Sequence, residues 1–212
     1  MKKTATLSLT WVVLCGLLAP VAAAVPGSAD DGERVRQGPG IGLILEVGDP
    51  SGRAVGADRP FFVRLTVEWA RVEHQRGVYD WSFLEPVIRD LTVTGKQPVL
   101  CLTGSNPLYL DNDAPPSPLA GDSIAGWIAF VRSAAREFAS SVGVFEIWDR
   151  PDRADAPFDP ESYGFLLKSS ALAIRAEAQA LGVEVAISQG SVALEHLDWQ
   201  RRVWDADTAP YV

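Results

Sequence analysis

Five short, nearly continuous apolar runs recur along the chain, at Ile41–Val47, Phe61–Val67, Pro98–Leu102, Val142–Trp148 and Val183–Ser188. Runs of that length without polar alternation are what parallel strands buried on both faces require. Segments with helical spacing lie between the later ones. Over Trp81–Thr94, Phe83, Leu84, Val87, Ile88 and Leu91 share a face, with Asp80 placed to cap the start and Gly95 the end. Over Ser123–Ser140, Ile124, Trp127, Ile128, Val131, Ala135 and Phe138 form a stripe behind a cap at Asp122. A third helix opens with Asp159 as cap and Pro160 in its first turn, buries Tyr163, Leu166, Leu167, Ile174 and Leu181, and closes at Gly182. Strand then helix, repeated, predicts an α/β fold with a parallel sheet. A barrel and an open doubly wound sheet both satisfy that pattern. No glycine-rich phosphate turn follows any of the runs, which argues against a dinucleotide site.

The N-terminus reads differently. Lys2 and Lys3 precede an apolar stretch containing Trp11, Val12, Val13, Leu14, Leu17 and Leu18, followed by Pro20 and Ala22-Ala23-Ala24. This is the pattern of a secretory signal peptide over 1–24, cleaved after Ala24, and it predicts a secreted or periplasmic protein. The apolar core falls short of the roughly 20 residues that a membrane span needs. Residues 25–40, rich in Gly, Asp, Arg and Pro, are expected to be a flexible leader, and 41–212 to form one domain. Cleavage removes Cys15 and leaves Cys101, in an apolar run, as a small buried hydrophobe that cannot form an intramolecular disulfide. The net charge of −8 argues against nucleic acid as a partner, and no membrane contact is expected after signal cleavage. His74 and His196 sit in no metal-ligand spacing and are read as surface groups, so neither a metal nor a cofactor is expected.

Three segments carry a resemblance to the (β/α)8-barrel retaining glycoside hydrolases, the clan whose fourth strand ends in Trp-Asn-Glu-Pro. Val142–Asp152, V-G-V-F-E-I-W-D-R-P-D, is similar to that strand. Val63–Trp81 is similar to the second strand and its loop, with Arg64, Trp69, Glu73, Gly77 and Tyr79-Asp80-Trp81 in the matching order. Val99–Tyr109 resembles the third strand, with Asn106, Pro107 and Tyr109 in its loop. The resemblance implies a TIM-barrel-like domain truncated after about five strands, since a complete barrel takes about 250 residues. By the same resemblance Ala209–Val212 begins the sixth strand, and the nucleophilic Glu belongs to a seventh. The loop Asp49–Pro60 is too rich in Pro, Gly and Asp for the first helix.

The resemblance places Arg150 where the acid/base glutamate stands. A guanidinium stays protonated at any working pH, so Arg150 cannot serve in that role. Asp149 and Asp152 are the nearest carboxylates that burial could turn into a proton donor. Strand alternation puts Val144, Glu146, Trp148 and Arg150 on one side, provided the strand stays regular to its end. Arg64 is expected to line the pocket, because an arginine among apolar strand residues needs a partner. Trp69, Asn106, Tyr109 and Trp148 complete the expected substrate-binding set, Tyr109 and Trp148 as rings on which a sugar can stack. Trp148 is equally readable as core. Three functional readings follow: a polysaccharide-acting glycoside hydrolase; a non-catalytic carbohydrate-binding pseudoenzyme whose Arg150 meets sugar hydroxyls or a uronic-acid carboxylate; and a truncated product prone to self-association through an open sheet edge.

Overall fold

The computed structural model describes residues 43–46, 62–110 and 116–212. The expected signal peptide, the leader, Cys15 and the loop after the first strand lie outside these residues. Five parallel strands form one sheet in the order β1 (Leu43–Glu46), β2 (Phe62–Glu68), β5 (Gln97–Thr103), β6 (Val144–Ile147) and β7 (Ala186–Gln189). All five apolar runs are strands, each pairing with the next in parallel. A short helix α1 (Trp69–Val72) and the hairpin β3 (Glu73–Gln75) and β4 (Val78–Tyr79) follow β2. Helices α2 (Glu85–Val93), α3 (Ser123–Phe138), α4 (Pro160–Ala180) and α5 (Leu197–Asp205) follow in alternation with the later strands.

The sheet has two unlike faces. Val63, Leu65 and Val67 of β2, Leu100 and Leu102 of β5, and Phe145 and Ile147 of β6 are buried in one core with Trp127, Phe130 and Val131 of α3 and Leu166 and Leu167 of α4. Aromatic rings fill the gap between hairpin and helices: Trp69 stacks on Phe130 and meets Trp127 edge-on, while Trp81 stacks on Phe130 and meets Phe138 edge-on. On the opposite face register aligns Thr66, Cys101, Glu146 and Ser188 in one row across four strands. That row is polar, and it is where strand alternation sends the side chains that the helices do not cover.

The helix termini follow local chemistry only in part. Asp159 and Ser162 form a reciprocal capping box at the start of α4, and Gly182 takes a left-handed φ of 71° beyond its end. Gly95 does the same after α2. Asp80, by contrast, accepts from the Ser82 N–H and caps the turn preceding α2, and Asp122 makes no side-chain cap on α3. Leu181, expected in the core, is exposed. The chain's last residues are not a strand: Ala209–Tyr211 form a 3-10 turn, held where the buried Thr208 hydroxyl donates to the Val203 carbonyl. Helix α5 was not legible in the sequence, since only Gln200 and Val203 of it are buried.

Candidate functional site

In a parallel sheet whose helices lie on one side, the carboxyl ends of the strands are where chemistry gathers. Here that end carries two linked charge clusters. In the first, Arg64 reaches along the polar face of the sheet from β2 to β6. Its Nε donates to Glu146 Oε2 at 2.6 Å, and its Nη2 to Glu146 Oε1 at 3.0 Å and to Asp149 Oδ1 at 2.7 Å. Thr66 Oγ1 and Cys101 Sγ accept the remaining bonds, each at 3.0 Å. Burial works against the Arg64 charge, but the hydrogen bond and charge of Glu146, with help from Cys101 and Asp149, outweigh it and raise the guanidinium above its ordinary range. Glu146 behaves differently. Its burial outweighs the opposing pull of Arg64, and its carboxyl is held above the usual range. Cys101 is a buried free thiol raised well above its usual range, again by burial, so it is no nucleophile at neutral pH.

Beyond Ile147 the strand does not stay regular. Trp148 and Arg150 both take left-handed φ angles, 71° and 50°. The alternation expected from Val144 to Arg150 therefore breaks, and Trp148 turns its ring against Trp127 of α3 and Phe158 instead of following Glu146. The core reading of Trp148 fits its burial. Arg150 forms the second cluster with Asp152, to which its Nε donates at 3.2 Å. The buried Asp152 also accepts from the Ala193 N–H and pairs with His196 Nδ1, both at 2.8 Å. Burial raises its pKa, but the Ala193 N–H, His196 and Arg150 together lower it further than burial lifts it. His196 is on the surface as the sequence suggested, yet it is tied to a carboxylate 44 residues earlier in the chain, a pairing that no local spacing announces.

The remaining expected contact residues gather elsewhere. Trp69, Asn106 and Tyr109 surround Glu73 of β3, a buried carboxylate that the Trp69 indole N–H, the Gly77 N–H and the Tyr109 hydroxyl all donate to. The Asn106 side chain donates to the Glu73 carbonyl and accepts from the Leu108 N–H. Trp69 and Asn106, both expected as ligand contacts, are closed off from solvent. Tyr109 is half-buried, its ring lying 4.9 Å from that of Trp69 with the Arg76 guanidinium 4.6 Å from its centroid. Desolvation, then its bond to Glu73, push its hydroxyl up to about 12. The structure thus joins Arg64 and Asp149 with Glu146, joins Arg150 with Asp152 and His196, and gathers Trp69, Asn106 and Tyr109 around Glu73. Among the described residues no group of three or more His, Cys, Asp and Glu side chains is arranged to hold a metal.

No protein-family model matches the chain, and no curated protein does. Solved structures do. A family 39 glycoside hydrolase from the gut symbiont Bacteroides cellulosilyticus WH2 superposes with a TM-score of 0.60 at 20% identity, over 71% of this chain and 31% of that one. A β-glucosidase from Exiguobacterium marinum matches at 13% identity over 60% of this chain and 33% of that one, with a TM-score of 0.48. An exo-β-1,4-mannosidase from an Opitutaceae bacterium, strain TAV5, matches at 19% identity over 56% and 23%, with a TM-score of 0.45. Of these three only the first superposes closely, and it shows the fold alone: the chain has the architecture of part of a (β/α)8 barrel. It spans about a quarter to a third of the length of these structures.

Proposed function

We propose that this chain is an exported, glycoside-hydrolase-like protein that acts on or binds polysaccharide through the carboxyl ends of β2, β5, β6 and β7, and that its Arg150 position does not support hydrolysis. The observation that carries this reading is the shared placement of Arg64, Glu146, Asp149 and Arg150 at one end of the sheet. A sugar needs paired donors and acceptors that converge on its hydroxyls, and charged groups held rigidly by one another supply them. Asp149, half-exposed and anchored through Arg64, is the acceptor, and the guanidinium of Arg150, held by Asp152, is the donor. Arg150 cannot protonate a departing sugar oxygen, because it has no dissociable proton at working pH. Glu146, though its carboxyl is held above the usual range, is buried and committed to Arg64, which leaves it in a supporting position.

The test is affinity electrophoresis of the chain through gels containing single polysaccharides, with reducing-end release measured in parallel. Retardation by at least one polysaccharide without release of reducing ends is the expected result. Release by the wild-type chain that Arg150→Gln leaves intact would overturn the assignment of Arg150, and migration unaffected by every polysaccharide would overturn the binding reading.

A further inference from the structure

The two loops that carry Arg150 and His196 are joined into one rigid piece. The hydroxyl of the buried Tyr163 donates to the Ile147 carbonyl at the end of β6 and accepts from the Gly190 N–H at the end of β7, both at 2.7 Å. Gly190 lies so close that a Cβ there would stand 2.5 Å from the Trp148 carbonyl oxygen and 2.7 Å from Pro151 Cδ. Across this seam Asp152, its side chain 0% exposed, takes the Arg150 Nε on one carboxylate oxygen and the His196 Nδ1 and Ala193 N–H on the other. Arg150 is held in a backbone conformation that residues with a side chain seldom adopt, a cost that persists only where the surroundings enforce it.

What this arrangement turns outward is the Arg150 guanidinium with the His196 imidazole beside it. The Arg150 and His196 side chains are 38% and 44% exposed, while the carboxylate that anchors them is wholly buried. Nε of Arg150 donates to Asp152, and among the described residues its two Nη groups, which form the other edge, have no partner. His196 is engaged through Nδ1, which leaves Nε2 without a partner among the described residues and a donor when the ring carries both protons. Of the acidic groups near them, Glu146 and Asp149 are both bonded to Arg64 and Asp198 to Arg201, while Glu195 stands exposed next to His196. A planar guanidinium edge beside an imidazole matches a carboxylate better than it matches a hydroxyl, because two parallel charge-assisted bonds form at once.

We propose that Arg150 and His196, both anchored on Asp152, form a subsite for the carboxylate of a uronic acid, so that the ligand of this face is an acidic polysaccharide. The inference rests on the polysaccharide reading above and narrows it. A glutamate at position 150 would repel such a ligand; arginine there is the recognition group. His196 is a binding residue by this account, and the substitution at 150 and the dyad at 152 and 196 are parts of one device.

The test is calorimetric titration of the chain with three probes: trigalacturonate, its methyl ester and neutral galactotriose. Trigalacturonate is expected to bind about tenfold or more tightly than either of the others. Arg150→Gln and His196→Gln should each weaken trigalacturonate binding severalfold, and Arg150→Lys should fail to restore it, since lysine keeps the charge but not the fork. Unchanged circular dichroism in these surface variants separates loss of the site from loss of the fold. Equal affinity for the acid and its ester, or acid binding untouched by Arg150→Gln, overturns the subsite while leaving the polysaccharide reading in place. Absence of binding to all three probes overturns the subsite; the polysaccharide reading then stands or falls by the gel panel, where neutral polymers are represented.

Discussion

Replacing Glu146 with alanine should expose how much of this fold depends on one ion pair. The carboxylate gives Arg64 two bonds, at 2.6 and 3.0 Å, and both side chains are largely sealed from water, at 14% and 9% exposure. Removing one member of a buried pair leaves its partner's charge uncompensated, which costs about 3–5 kcal/mol. Asp149 and Thr66 keep part of the Arg64 hydrogen bonding, so the lower end of that range is expected, about 3 kcal/mol. For a domain of this size that is a fall in Tm of about 6–12 °C. Asp149→Ala breaks a half-exposed contact to the same guanidinium and should cost under about 1 kcal/mol. The double variant Arg64→Met/Glu146→Met removes both charges at similar volume and should recover most of the loss. Urea unfolding followed by tryptophan fluorescence measures all three. A loss below about 1 kcal/mol for Glu146→Ala, or a double variant no better than the single one, would refute the view that an unpaired buried guanidinium is the cause.

Two further perturbations address the seam between β6 and β7. Gly190→Ala forces a Cβ into the Trp148 carbonyl and Pro151, contacts that a backbone cannot yield cheaply, and should destabilise the chain by about 1–3 kcal/mol in the same urea assay. Asp152→Asn removes the charge that Arg150 and His196 share and should cost about 1.5–3 kcal/mol at neutral pH. Because the folded Asp152 has a lowered pKa, its contribution is present above the ordinary carboxylate range and is lost as pH falls through its folded value. The stability gap between wild type and Asp152→Asn should therefore narrow below about pH 4, and a gap that instead widened in acid would contradict the assigned direction.

The strands were legible because the residues they bury against the helices stand in short apolar runs with few charges between them, and a run such as Pro98–Leu102 announces itself. The start of α4 was legible because Asp159, Pro160 and Ser162 act on their own backbone. The parts that were not legible depend on distant partners. Helix α5 buries a glutamine, Gln200, which is tolerable only because Gln189 exchanges amide hydrogen bonds with it in both directions. Ala209–Val212 carries strand-like residues, but Pro210 and the Thr208 contacts close a turn there. The candidate site divides the same way. Arg64 could be singled out as a charge in an apolar run. That Glu146, 82 residues on, is its partner could not be read, and neither could the dependence of Arg150 and His196 on Asp152. The alternation that placed Trp148 beside Glu146 failed because two left-handed residues end the strand one position early.

The most direct test of a polysaccharide site at the strand ends is a map of where an oligosaccharide lands. Titrating a bound oligosaccharide into the isotopically labelled chain and following backbone amide shifts should move residues 149–152 and 190–196 together, along with Thr66. Shifts confined to the helical face, around α3 and the β3–β4 hairpin, would contradict the account.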